Sequence, residues 1–172
     1  MINSYQQQNR KVHIILAIDP DIYKNGAACL NCETKRMEIK CLTFPDLLDS
    51  IRSVKRQAEE TGKNFIVVVE AGWLNKGNWH LNPKDTKSSA AAKGNQTGRN
   101  HETGRKIVEM CRHWNIPVDE VKPLQKCWKG ADRKITHEEL SKFIPITGRT
   151  NQEGRDAALL AWVYAGFPIK MS

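Results

Sequence analysis

Three carboxylates stand where carboxylates are costly. Asp19 closes the apolar run 14–18, Glu70 closes 65–69, and Asp156 directly precedes the apolar stretch 157–163. Glu153 lies one helical turn before Asp156 and shares its face. Carboxylates at the ends of buried strands gather on one sheet edge, where they repel one another unless cations join them. A Mg²⁺ pair about 3.5–4 Å apart neutralises such a cluster and clamps a phosphodiester for in-line attack by water. Mg²⁺ takes oxygen ligands and retains waters, which suits a set of carboxylates without thiolates. Each acid also has an ordinary structural reading. Asp19 before Pro20 suits a strand-end turn, Glu70 a surface position and Glu153 a capping box, while Asp156 complements a helix N-terminus. All four in this order favour a shared metal site.

Positive charge lies near these acids. The chain has a net charge of +8; residues 72–106 carry seven Lys/Arg against two Asp/Glu, and residues 122–149 seven against three. Concentrated positive charge favours a polyanion through counterion release. After Glu70 come Trp73, Lys76, Trp79, His80, Lys84, Lys87 and Lys93. Aromatics interleaved with lysines stack on unpaired bases while neutralising phosphates, although either tryptophan also suits a packing role that pins the loop. Lys129, Arg133 and Lys134 precede a short helix whose N-terminus supports phosphate binding; a solvated charge run is the alternative.

The elements that must position these residues are those of an α/β chain with a mixed sheet. VHIILAI at 12–18 reads as a buried strand, 27–33 as a second and the alternating RMEIKCLTF at 36–44 as a third, joined by tight turns in an antiparallel meander. Pro45 opens a helix with Leu47, Leu48, Ile51, Val54 and Ala58 at helical spacing, ended by Gly62. A strand at 65–69 is followed by a long polar, basic loop over about 72–98. A second helix begins near Thr97, and 118–121 is a short strand. Capping boxes at Thr136 and Thr150 open a short helix and a final one over 151–166. The expected organisation is a flexible tail over 1–11 and one domain over 12–168.

The longest wholly apolar stretch, 157–163, is far short of the roughly 20 residues that span a bilayer. The polar start at 1–9 has no apolar signal region. No membrane partner and a cytoplasmic location are the expectations. Cys29 and Cys32 form a C-x-x-C within a strand-like run, on opposite faces, and no second Cys/His pair completes a zinc site. Free, buried thiols are expected of the five cysteines.

ILAIDPD at 15–21 resembles the first strand of RuvC-type Holliday-junction resolvases, an apolar strand ending in Ile-Asp-Pro-Gly. VVVEAGW at 67–73 is similar to that family's second acidic strand, with an aromatic three residues after the Glu. GADRK at 130–134 resembles its Gly-x-x-x-Lys segment, and EGRDAALLAW at 153–162 its final motif, two acids at i, i+3 leading a buried helix. The resemblance spans about residues 12–166. It implies a ribonuclease H-like fold, a five-stranded mixed sheet with helices on both faces. It also implies a homodimer that binds four-way DNA junctions and nicks two strands symmetrically, using Mg²⁺ or Mn²⁺; two ions per site and no nucleotide cofactor are expected. Asp19, Glu70, Glu153 and Asp156 take the metal-ligand places, Trp73 the place of the aromatic wedge and Lys134 the basic place. Trp79, Lys76, Lys84, Lys87, Lys129 and Arg133 are the further DNA-binding candidates. The chain departs from the pattern at Asp21 (usually Gly), at Glu153 (usually Asp) and over 72–98. This divergence points to a phage or mobile-element relative. The competing readings are a catalytically silent branched-DNA binding module and a ribonuclease H-like nuclease acting on forks or RNA/DNA hybrids.

Overall fold

In β1 (Ile14–Asp19) Ile15 and Ala17 face one core while Leu16 and Ile18 face another. This period-2 alternation makes the strand the centre of a sheet covered on both sides. The computed structural model describes residues 11–76 and 82–171. The expected N-terminal tail lies outside them but for Lys11, as do Trp79 and His80.

The sheet has five strands in the order β3-β2-β1-β4-β5. β2 (Asn25–Asn31) pairs antiparallel with β1 and with β3 (Met37–Leu42), giving the meander read from the sequence. β4 (Phe65–Glu70) runs parallel to β1, and β5 (Val118–Val121) parallel to β4. These orders and directions give the five-stranded mixed sheet expected from the sequence.

Helices lie on both faces. On one, α1 (Phe44–Glu60) and the C-terminal half of α2 (Lys87–His113) cover Leu16, Ile18, Val67 and Val69 with Leu47, Ile51, Ile107 and Val108. On the other, α4 (Gln152–Tyr164) lays Ala157, Ala158, Leu160 and Ala161 over Ile15, Ala17, Ala28 and Val68, with the short α3 (His137–Ser141) beside it. Among the described residues, no helix is long and apolar enough to cross a membrane.

Three local features differ from the sequence reading. The loop expected over 72–98 is helical from Lys87, because Thr86 caps the helix by accepting from Ser89 N and three alanines, Ala90 to Ala92, follow. The final helix is capped by Asn151 rather than Thr150: Asn151 Oδ1 accepts from Gly154 N at 3.0 Å. Glu153 therefore sits too early for a capping box, and its carboxylate is released from that role. All five cysteines are free, but only Cys111 is buried, and Cys127 is exposed on the basic loop.

Candidate active site

The same alternation that builds the two cores places the acids. Asp19 continues the Ile15–Ala17 series and Glu70 the Val68 series, so both belong to the face covered by α4. The two strands are parallel with Ile18 opposite Val69, so these acids end neighbouring strands at one edge. The N-terminus of α4 reaches this edge because Gly26, the partner of Asp19 on β2, has no side chain: a Cβ there would overlap the Glu153 carbonyl. Gly154 reciprocates, since its own Cβ would meet Ile39. Backbone thus abuts backbone, and the first two turns of α4 deliver Glu153 and Asp156.

The four acids share one field. Burial first, then the charges of Glu70, Asp156 and Glu153, push the Asp19 carboxyl well above the usual range, with Lys134 opposing. Glu70 is raised by burial and by Asp156, against Lys134 and Lys126. Lys134 Nζ lies 3.1 Å from Asp156 Oδ2, both side chains being largely covered. Burial works against the Lys134 ammonium, but its bond to Asp156 and the charges of Asp19 and Glu70 outweigh this and hold its pKa above the ordinary value. Gln152 Nε2 donates to Asp156 Oδ1 at 2.8 Å, and Arg155 in turn bonds Gln152 Oε1 and the carbonyls of Ile135 and Thr150. The sequence reading passed over Gln152 and Lys126. The i, i+4 spacing of Gln152 and Asp156 was the available signal for the first.

Lys134 is presented by a tight loop. Trp128 N donates to Arg133 O and Gly130 N to Lys134 O, both at 3.0 Å. Asp132 and Arg133 both take left-handed backbone, φ 52° and 58°, at a cost of about 1–2 kcal/mol each. The loop is anchored where Trp128 stacks on Phe143 and where Lys129 N donates to the buried Glu139, the residue that also completes the capping box of Thr136. The side chains of Lys129 and Arg133 remain exposed, as do those of Lys76, Lys84 and Lys87 on the other basic segment.

Trp73 does not stand free as a wedge. It sits in a 3-10 turn, Gly72–Leu74, half-buried against the α1–α2 core. Its Nε1 donates to Glu120 Oε1 at 3.2 Å, the Arg105 guanidinium covers the ring at 5.5 Å, and its edge fills the space above Gly104. The indole is thus packed and hydrogen-bonded within the chain. Asp21, in place of the expected glycine, needs no unusual backbone: its Oδ1 accepts from Tyr23 N and Lys24 N, closing an Asx turn.

The donor set is all oxygen, half-buried and mutually repulsive, which is the chemistry that a hard dication relieves. Among the described residues, no three His, Cys, Asp or Glu side chains are drawn together closely enough to form a ready-made metal site. The cation that meets Asp156 is Lys134.

No protein-family model matches the chain, and no curated protein does. Solved structures do. T. thermophilus RuvC in complex with a Holliday junction substrate is 12% identical, with a TM-score of 0.48 over 88% of this chain and 92% of that one. Thermus thermophilus RuvC is 16% identical with a TM-score of 0.43, covering 89% of this chain and 96% of that chain. The fowlpox virus resolvase, in complex with substrate Holliday junction DNA, is 15% identical with a TM-score of 0.43, covering 89% and 97%.

Proposed function

We propose that this chain is a metal-dependent endonuclease that binds four-way DNA junctions and nicks two strands symmetrically by phosphodiester hydrolysis, with residues 12–168 acting as one nuclease domain. The observation that carries the reading is the shared field of Asp19, Glu70, Glu153 and Asp156 at one sheet edge, with Lys134 bound to Asp156. The motif resemblance gives the substrate class.

Asp19, Glu70, Asp156 and Glu153 would hold Mg²⁺ or Mn²⁺, two ions per site. Bound there, divalent ions supply Lewis-acid activation of water and charge neutralisation at the phosphate. Gln152 keeps one Asp156 oxygen oriented. Lys134 is the basic group placed to meet a phosphate oxygen when its partner carboxylate is otherwise engaged. The exposed Lys76, Lys84, Lys87, Lys129 and Arg133 neutralise flanking phosphates and supply sequence-independent affinity. Two copies in a homodimer supply the two sites that symmetric nicking needs.

The test is a cleavage panel of four-way junction, fork, nicked duplex, RNA/DNA hybrid and single strand, each with Mg²⁺, Mn²⁺ or chelator. Paired nicks in the junction, dependent on metal, are expected. Asp19→Asn, Glu70→Gln and Asp156→Asn should each abolish cleavage and keep junction affinity within about tenfold, because the acids serve chemistry and the basic side chains serve affinity. Glu153→Gln should be milder than Asp156→Asn. Near-normal cleavage by Asp19→Asn would remove the metal-site reading. Junction binding without cleavage in any metal would leave a binding module, and preference for the fork or hybrid would reassign the substrate.

A further inference from the structure

We propose that Tyr23 is a base-stacking residue, which takes an unpaired nucleobase beside the carboxylate edge. This rests on the junction-nuclease reading above and adds to it a contact of this chain's own. Tyr23 lies four residues beyond Asp19, in the turn between β1 and β2, where Asp19 pairs with Gly26. It is 69% exposed, against 37–41% for the other exposed large apolar side chains among the described residues. Trp73, the aromatic that follows Glu70, is already committed to Glu120, Arg105 and the space over Gly104.

The ring is exposed, but the backbone beneath it is fixed. Asp21 Oδ1 accepts from Tyr23 N at 2.8 Å. Ile22 N donates to Asn100 Oδ1 at 3.0 Å, and Asn100 Nδ2 donates back to Asp21 Oδ2 at 3.3 Å, which ties the turn to α2. Asn25, fully buried, accepts from Asp21 N and donates to Leu42 O, which ties it to β3. These bonds fix where the side chain leaves the backbone, and the ring stands largely clear of the surface. A tyrosine restrained at its backbone loses little further freedom when it stacks, having only two side-chain torsions.

The occupant follows from what the neighbouring edge handles. A phosphodiester brought to Asp19 and Glu70 carries its own nucleoside with it. In intact duplex that base is paired and stacked and offers no free face, whereas at a branch point it does. Lys24, exposed beside Tyr23, suits the adjoining phosphate.

The experiment measures binding in chelator, where no strand is cut, for wild type, Tyr23→Ala and Tyr23→Phe. The probes are a four-way junction with 2-aminopurine at the branch and a linear duplex of the same sequence. Tyr23→Ala should weaken junction binding by about 5- to 150-fold, the range for one stacked base. Duplex affinity should stay within about twofold, since it rests on phosphate contacts. The fluorescence quenching of 2-aminopurine on wild-type binding should disappear in Tyr23→Ala and return in Tyr23→Phe, and melting temperatures should coincide. Equal loss on both probes, or unchanged junction affinity in Tyr23→Ala, overturns the assignment. If wild type prefers the junction and Tyr23→Ala prefers it equally, this inference alone fails. If wild type itself shows no preference for the junction, the junction-nuclease reading fails and this one with it.

Discussion

Asp19 holds its proton more tightly in the folded chain than in the unfolded one, because burial and then the charges of Glu70 and Asp156 disfavour its carboxylate. For an acid whose folded pKa is raised, both states are protonated below the unfolded value, about 3.9 for Asp, and the folded state suffers no penalty. As pH rises from there through the folded pKa, the unfolded chain releases its proton first, and stability falls to a lower plateau. Asp19→Asn never ionises and escapes that fall. In chelator at pH 7 it should therefore melt above wild type, with each kcal/mol of relieved repulsion read as about 2–4 °C in a chain of this size. The gap should narrow on acidification and close near pH 4. Saturating Mg²⁺ should raise the wild-type melting temperature by mass action and leave Asp19→Asn nearly unmoved. Melting curves from pH 4 to 8, with and without the ion, check each part. A variant that melts below wild type at pH 7 would mean that the carboxylate is already compensated in the folded chain.

The edge exists because α4 can seat its first turn on bare backbone. Gly26→Ala would put a methyl group into the Glu153 carbonyl, so the helix must lift or the strand must yield. Overpacking of this kind costs about 1–3 kcal/mol. The displacement falls on the start of α4, which carries Glu153 and Asp156, so cleavage should drop at least tenfold while junction affinity changes little. Melting and cleavage measured on the same preparation decide this, and an unchanged cleavage rate would mean that α4 is not located by Gly26. The elements involved were legible in the sequence to different degrees. β1, β4 and α4 are marked by continuous apolar runs, and Asp19, Glu70 and Asp156 stood out because each ends or begins such a run. The N-terminal half of α2 was hidden because it buries nothing fully before Gly104, so it carries no apolar period to betray it. The bond from Trp73 to Glu120 and that from Lys134 to Asp156 join residues far apart in the chain. They exist only once strand register and helix seating are fixed, and no local pattern announces them.

At the scale of the molecule, one chain supplies one carboxylate edge, and the symmetric nicking proposed above calls for two. A two-fold homodimer is the proposed assembly, and α2 is the element proposed to form its interface. The helix has 27 residues, about 40 Å at 1.5 Å per residue, and only its C-terminal half is used by the core. Gly104 is accounted for within the chain, since Trp73 and Pro20 occupy the space a side chain would take. Gly94 and Gly98 are different: nothing lies within 4 Å of a Cβ at either, yet each costs about 1 kcal/mol of helix stability relative to Ala. Close approach of a second copy's backbone is a use for that bare surface. Gly98→Leu separates the two situations. The side chain meets only open space in its own chain, so the melting temperature of the monomer should hold or rise, whereas a facing helix would be pushed away. Light scattering should give twice the 19.6 kDa of one chain for wild type, and Gly98→Leu should raise the dissociation constant at least tenfold. The variant should then nick junctions on single strands without the paired cut. A wild-type monomer both free and bound to a junction would contradict the assembly, and a dimer that Gly98→Leu leaves intact would move the interface off this half of α2.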